Sequence, residues 1–180
     1  MLKTLIGVFS DTHNNTDLLI RAAEEAKTLG ATVFCHLGDT YKDAELLFEY
    51  SAKILRVPGL HEKQYADPKI QNHFFTELAG FNIFLTHSDR LEEEDLTGSL
   101  NPKIIAINNE ADIYLYGHTH LYEAMIKGDT LFLNPGHLKK GDNRSSTLSF
   151  GLLELTDKKA IGRVYELGGK ILQETVLLKF

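Results

Sequence analysis

Polar clusters rich in Asp, His and Asn follow six apolar, strand-like runs of this sequence, each at the point where a run ends. In open α/β sheets, binding sites form outside the carboxyl ends of the strands. Clusters that each follow the end of a strand can therefore converge at one edge of the sheet. Imidazole and carboxylate together form the ligand set used by Mn, Fe, Zn, Ni and Co. The pattern predicts a metal site built from Asp11-Thr12-His13, Gly38-Asp39, Gly59-Leu60-His61-Glu62, Thr86-His87, Gly117-His118-Thr119-His120 and Asn134-Pro135-Gly136.

Six side chains in these clusters are candidate metal ligands: Asp11, His13, Asp39, His87, His118 and His120. Asp11 and His13 are two residues apart, as are His118 and His120, and in extended backbone such pairs project to the same side. Six ligands exceed the needs of one tetrahedral ion, so we predict two divalent ions that share a bridging carboxylate, assigned to Asp39. Two ions about 3.5–4 Å apart can activate a water and clamp a phosphoryl group, which indicates metal-assisted hydrolysis of a phosphate ester.

The elements that must position these clusters alternate between short apolar runs and helix-like segments, a pattern typical of βαβ units. We predict strands over residues 2–9, 32–37, 54–57, 81–85 and 112–116. Helices are predicted with N-caps at Thr16 and Asn101, and between them a helix with Ala44, Leu47, Phe48 and Ser51 on its inward face. From Glu123 onward, turn-separated strands predict a β-meander. The expected architecture is one mixed α/β domain of two packed sheets and flanking helices, over residues 1–180.

Composition and charge narrow the function classes further. The chain has 43% hydrophobic and 24% charged residues, as an ordinary globular domain does. Its net charge of −6 disfavours binding to long nucleic acid. Its apolar runs are far shorter than the roughly 20 residues of a membrane span and no secretory signal is evident, so we predict a cytoplasmic protein without membrane association. The only cysteine, Cys35, excludes an internal disulfide or a thiolate cluster. Nothing in the sequence indicates an oligomeric state.

The ordered series D-x-H, G-D, G-x-H-E, H and G-H-x-H resembles the calcineurin-like metallophosphoesterases, and the chain length resembles their small single-domain prokaryotic phosphodiesterase branch. The resemblance runs from Asp11 to Gly136 and implies a four-layer α/β/β/α sandwich of two mixed sheets flanked by helices. It also implies a dinuclear site with two divalent ions, for which Mn²⁺ is our first choice and Zn, Fe, Ni or Co the others. The implied first ion is held by Asp11, His13 and His120, Asp39 bridges, and the second is held by His87 and His118.

The motifs also contain one candidate catalytic residue and two departures from the family pattern. By the same resemblance, His61 matches a histidine thought to protonate the leaving group or to steady the phosphate, and it is our candidate catalytic residue. The preceding residue departs from the family pattern, because Leu60 occupies the place of a metal-binding asparagine. Leucine has no donor atom, so we expect weaker binding of the second ion. Ser88 also replaces the glycine that often follows the histidine matched by His87.

The predicted activity is that of a divalent-metal-dependent phosphodiesterase, in which a metal-bound hydroxide attacks phosphorus in line. Two ions contribute about +4 and two carboxylates −2, so an anionic small phosphodiester suits the site. Asn134, Lys139 and Arg144 are candidate substrate-binding residues, with a turn or a solvated loop as the alternative. A phosphomonoesterase, or a nuclease for short single-stranded fragments, is a variant of the same hypothesis.

A metal-binding or metal-free scaffold on the same fold, without activity or only weakly active, is the alternative class. A retromer subunit of similar length resembles this family and serves mainly as an interaction platform, and Leu60 favours this interpretation. The two histidine-containing pairs and Asp39 disfavour it, because a scaffold has no physical need for clustered imidazoles. Outside the site, we interpret His36 and His73 as structural or solvent-facing, and the acidic run 92–95 as a solvated surface.

Overall fold

The structure is a computed structural model that describes residues 3–51 and 53–179, so the predicted start of the first strand at residue 2 lies outside the described residues. Eleven strands and two α-helices are found in the described part of the chain, together with a 3₁₀ helix, Tyr41–Glu49. The helices are α1 (Thr16–Thr28) and α2 (Pro102–Asn108). The strands are β1 (Thr4–Phe9), β2 (Val33–His36), β3 (Ile54–Arg56), β4 (His73–Leu78), β5 (Phe81–Thr86), β6 (Ile113–Leu115), β7 (Glu123–Lys127), β8 (Thr130–Asn134), β9 (Ser149–Leu155), β10 (Lys159–Glu166) and β11 (Ile171–Leu178).

The strands form two mixed sheets. Sheet A has the order β11-β10-β9-β1-β2-β3, and sheet B has the order β4-β5-β6-β8-β7. Strands β1, β2 and β3 are parallel in sheet A, as are β5, β6 and β8 in sheet B, and the remaining pairs are antiparallel. The predicted sandwich of two mixed sheets with flanking helices is confirmed.

Hydrophobic side chains fill three layers between and outside the sheets. Fully buried residues such as Ile6, Val8 and Leu133 pack between the two sheets. The alternate side chains of β1, including Phe9, pack with α1 on the outer face of sheet A. Strand β1 therefore buries both of its faces and is almost continuously apolar, as parallel strands covered on both sides are. The short helix α2 covers part of the outer face of sheet B.

Local differences from the sequence expectations have physical causes. The N-cap of helix α1 is Asn15, not Thr16 as predicted, and Thr16 is the first residue of the helix. The predicted helix over 44–51 is a 3₁₀ helix in which Ala44 and Leu47 are buried, whereas Phe48 is 54% exposed. With three residues per turn, positions 44 and 47 share a face and position 48 does not. The predicted cap at Asn101 is confirmed, because its side chain accepts hydrogen bonds from the amides of residues 103 and 104.

The predicted C-terminal meander is divided between the two sheets. Strands β9, β10 and β11 form an antiparallel meander in sheet A. The hairpin β7–β8 belongs to sheet B, where β8 pairs in parallel with β6. Within the described residues, no helix is both long enough and apolar enough to cross a membrane.

Loops that follow the strands of both sheets meet at one edge of the sandwich. The amide of Asp11, after β1, donates to the carbonyl of Gly38, after β2, at 2.9 Å. Across the sheets, the amide of Leu138 donates to the carbonyl of Asp11 at 3.2 Å. These backbone hydrogen bonds hold the loops that carry the candidate ligands in contact.

Candidate metal centre

Five of the six candidate ligands have a left-handed backbone conformation, not an extended one. Positive φ angles occur at Asp11 (54°), His13 (46°), Asp39 (45°), His118 (66°) and His120 (62°). Our reason for expecting the two i, i+2 pairs to converge, an extended backbone, is therefore wrong. Non-glycine residues rarely adopt this conformation, and where they do the surrounding structure must enforce it.

Four of the six candidate ligands form one compact group. Donor atoms of Asp11, His13, Asp39 and His120 all lie within 4.8 Å of one another. Nε2 of His120 is 3.2 Å from Nε2 of His13 and 3.1 Å from Oδ1 of Asp11. Ligand atoms about 2.0–2.1 Å from a tetrahedral ion are separated by about 3.4 Å, so these spacings suit a common metal ion.

The other two candidates, His87 and His118, are not members of this group but lie next to it. Oδ1 of Asp39 is 3.6 Å from Nε2 of His87, and its Oδ2 is 3.5 Å from Nε2 of His13. The ring centroids of His87 and His118 are 5.1 Å apart. Because its two carboxylate oxygens face different histidines, Asp39 has the geometry that a bridging ligand requires.

Two buried atoms of the site have no hydrogen-bond partner, Oδ1 of Asp11 and Nε2 of His87. Nδ1 of His87 lies 2.6 Å from the carbonyl oxygen of Leu37. Since a carbonyl only accepts, Nδ1 carries the hydrogen and Nε2 presents a lone pair toward Asp39. Buried acceptors that face one another are unfavourable unless a cation lies between them. These carboxylate oxygens and imidazole nitrogens therefore fit a divalent metal ion as their common partner.

Burial and neighbouring charges adjust the pKa values of the ligands. Burial alone raises the pKa of Asp11, but nearby His120 and His87 outweigh it and lower this pKa to about 2. Burial lowers the pKa values of His13 and His118 below that of free histidine. A carboxylate and neutral imidazoles are the forms that bind metal, so the lowered pKa values of these three groups favour binding at neutral pH.

Glycines provide the space that the carboxylates occupy. A Cβ atom built on Gly59 would lie 1.9 Å from Oδ1 of Asp39. A Cβ atom on Gly117 would lie 1.9 Å from Oγ of Ser10, whose hydroxyl donates to Oδ2 of Asp11 at 2.6 Å. Only glycine permits this close approach of the loops.

His61, our candidate catalytic residue, lies outside the compact ligand group. Its side chain is 79% exposed, and its Nδ1 is 3.1 Å from Oε1 of Glu94. The next residue, Glu62, accepts hydrogen bonds from the amides of Gly59 and Tyr41 and so fixes the shape of this loop. A catalytic role for His61 stays a prediction.

The three candidate substrate-binding residues make contacts within the protein. Asn134 is buried, and its Oδ1 accepts a hydrogen bond from the amide of Gly136, which matches the turn-holding alternative. Its side-chain amide also donates to Gly117 O and Thr119 Oγ1. Nη1 of Arg144 donates to the carbonyl oxygen of His118 at 2.6 Å. Nζ of Lys139 is 3.5 Å from Asp142. Their contacts with substrate stay predictions.

Two acidic residues near the loops were missed in the sequence. Oδ2 of Asp142 lies 2.7 Å from Nδ1 of His120. Asp43 accepts hydrogen bonds from Thr12 Oγ1 at 2.6 Å and from the amide of Asn14 at 3.1 Å, which holds the first loop. No fixed spacing in the sequence relates either carboxylate to its partner.

The interpretation of the acidic run 92–95 as solvated is wrong for Asp95. Its side chain is 3% exposed, and its Oδ1 lies 2.8 Å from Nε2 of His73 and 2.9 Å from the hydroxyl of Tyr65. A buried imidazole satisfies the carboxylate, so burial is tolerated. The structural interpretation of His73 is confirmed, as is that of His36, which is buried.

The chain belongs to the calcineurin-like phosphoesterase superfamily, because the profile of that domain matches residues 4–158. No curated protein sequence matches the chain.

Solved structures similar to this chain include proteins with different descriptions. One is a predicted phosphoesterase from Streptococcus pneumoniae (21% identity, 99% of each chain covered, TM-score 0.73). Another is the phosphoesterase YfcE from E. coli (24% identity, 96% of this chain and 98% of the other, TM-score 0.67). A third is Vps29 from Entamoeba histolytica in complex with Zn²⁺ (20% identity, 97% and 99%, TM-score 0.67). At these identities the likeness shows the shared fold.

Proposed function

We propose that this protein is a divalent-metal-dependent phosphodiesterase with a dinuclear site, for which Mn²⁺ is the first metal to test. The observation that carries the proposal is the pair of buried, unpartnered acceptors on Asp11 and His87, with the carboxylate of Asp39 between the two ligand groups. Membership of the phosphoesterase superfamily supports the reaction class.

Each part of the site has a separate task in this proposal. Asp11, His13 and His120 would hold one ion, His87 and His118 the other, and Asp39 both. Bound divalent ions supply activation of water and neutralisation of phosphoryl charge. Nδ1 of His61 faces the Glu94 carboxylate, so only a doubly protonated ring would have Nε2–H free to donate to the leaving group.

The substrate proposed is a small anionic phosphodiester in the cytoplasm. Lys139 and Arg144 lie on the loop that carries Asp142, beside His120 and His118, and would supply positive charge near the ligands. The net charge of −6 disfavours long nucleic acids, because their binding depends on many phosphate contacts.

The experiment that tests this proposal is hydrolysis of a chromogenic phosphodiester by metal-stripped protein titrated with Mn²⁺, beside the matching monoester. We expect saturable, metal-dependent turnover that a chelator abolishes, with the diester preferred. Faster hydrolysis of the monoester would replace the proposed specificity with that of a phosphomonoesterase. Folded protein without turnover, in Mn²⁺, Zn²⁺, Co²⁺, Ni²⁺ or Fe²⁺, would contradict the enzymatic function.

The second candidate function is a metal-binding scaffold. Leu60 favours it because this side chain supplies no donor atom to the second ion. The likeness to Vps29, a protein of this fold that is not described as a phosphoesterase, is compatible with it. Metal binding without hydrolysis of either ester would support the scaffold.

Replacing Leu60 with Asn is expected to strengthen binding of the second ion. Loss of outer hydrogen-bond partners of metal ligands costs about 10–100-fold in affinity, and a direct ligand should count at least as much. We therefore expect at least about tenfold tighter binding of the second Mn²⁺ in Leu60→Asn. Equilibrium dialysis with metal analysis measures it, and full occupancy of two sites with equal affinity in wild type and variant would contradict the prediction.

A further inference from the structure

We infer that Asp142 is a positioning residue that fixes the orientation and the tautomer of His120 as a metal ligand. This inference rests on the proposed function, because it assigns a role toward the metal that the site would hold. Asp142 belongs to none of the six clusters in the sequence, and it approaches the centre from the loop that follows β8.

The contact between the two side chains determines which imidazole nitrogen faces the site. Oδ2 of Asp142 is 2.7 Å from Nδ1 of His120. An ionised carboxylate only accepts hydrogen bonds, so Nδ1 carries a hydrogen. Nε2 then presents its lone pair to the centre, where it lies 3.2 Å from Nε2 of His13 and 3.1 Å from Oδ1 of Asp11.

Asp142 is itself held in place by its own loop. Its side chain is only 4% exposed, and its Oδ1 accepts a hydrogen bond from the amide of Arg144 at 2.8 Å. The Arg144 side chain donates to the carbonyl oxygen of His118. The same loop therefore makes hydrogen bonds to both histidines of the G-H-x-H segment. The ring of His137 stacks on that of His120 with centroids 5.3 Å apart. The imidazole is therefore restrained at its Nδ1 edge and on one face.

The partners of His120 and His87 differ in charge, which makes the two metal subsites unequal. His120 has a carboxylate at Nδ1, whereas His87 has the neutral carbonyl of Leu37. A carboxylate partner makes the imidazole a more basic ligand and holds its ring orientation. Asp142 would therefore strengthen the subsite of Asp11, His13 and His120, while Leu60 adds no ligand to the other.

Binding of Mn²⁺ alone tests this inference without any assay of activity. Free Mn²⁺ is measured by electron paramagnetic resonance in titrations of metal-stripped wild type, Asp142→Asn, Asp142→Glu and a matched control, Asp129→Asn, at an exposed position in the β7–β8 turn. We expect Asp142→Asn to weaken the tighter site about 10–100-fold. Asp142→Glu, which restores a carboxylate, should recover most of the affinity, and Asp129→Asn should bind as wild type does.

The outcomes separate this inference from the proposed function. Equal affinity of wild type and Asp142→Asn would overturn the inference while leaving the metal site intact. An equal loss in Asp142→Asn and Asp142→Glu, accompanied by lower melting temperatures of both metal-free variants, would assign Asp142 a purely structural role and would also overturn it. Wild-type protein that binds no divalent metal would overturn the proposed function itself, and with it any role of Asp142 toward a metal.

Discussion

Asp39→Asn is expected to lower kcat/KM for a phosphodiester about 100–1,000-fold, the largest loss that we predict for a single isosteric change. The two oxygens of Asp39 face His13 at 3.5 Å and His87 at 3.6 Å, so one carboxylate serves both ligand groups. Asparagine keeps the shape but removes the charge and one acceptor oxygen. Steady-state hydrolysis at saturating Mn²⁺ measures the effect.

The fold should survive this substitution, because the main chain of Asp39 makes the contacts that hold its loop. Its carbonyl oxygen accepts from the amide of His13 at 2.8 Å and from the hydroxyl of Thr12 at 3.1 Å. Circular dichroism and thermal unfolding check that expectation, with Asp157→Asn in an exposed turn as the matched control. Unchanged turnover in Asp39→Asn would rule out its bridging role.

Gly59→Ala is expected to disable the same centre through sterics and also to destabilise the fold. The added methyl group would meet Oδ1 of Asp39 at 1.9 Å and its backbone nitrogen at 2.5 Å, so the carboxylate or the loop must move. Overpacking of this kind costs about 1–3 kcal/mol of unfolding free energy. Denaturant unfolding of metal-free protein and Mn²⁺ titration measure the two effects, and we expect Mn²⁺ affinity to fall about 100-fold.

A matched glycine variant separates the two effects of Gly59→Ala. In Gly162→Ala on β10, the nearest atom to the new methyl group is Cδ2 of Leu131 at 3.0 Å, in the packing between the sheets. We expect a modest loss of stability there and wild-type affinity for Mn²⁺. If Gly59→Ala also kept wild-type affinity, the tight approach of its loop to Asp39 would have no functional importance.

The location of the centre could be predicted from the sequence because it depends on a repeated pattern. Each candidate ligand follows an apolar run, and parallel strands bring such positions to one edge whatever the details of the loops. The local geometry could not be predicted in the same way. Left-handed conformations at Asp11 and His13 accompany hydrogen bonds from their amides to Gly38 and Asp39, and such contacts between distant loops leave no local periodicity.

The sheet to which the hairpin β7–β8 belongs, and the residue that contacts His120, could not be predicted from the sequence for a related reason. The hairpin β7–β8 belongs to sheet B because β8 pairs with β6, a contact that turn signals alone do not specify. Strand β4 was missed because it is an edge strand whose residues after His73 alternate between partly buried and exposed. Asp142 contacts His120 across 22 residues of chain, and an exposed loop residue would have the same local composition.

The division of the ligands between the sheets has a consequence for the whole domain. Asp11 and Asp39 follow strands of sheet A, whereas His87, His118 and His120 follow strands of sheet B. A divalent ion held by both sets of ligands would link sheet A to sheet B. At a free concentration 100 times its Kd, a ligand specific to the folded state adds about 2.7 kcal/mol to the free energy of unfolding. The supply of metal would thereby affect the equilibrium stability of the folded domain as well as its chemistry.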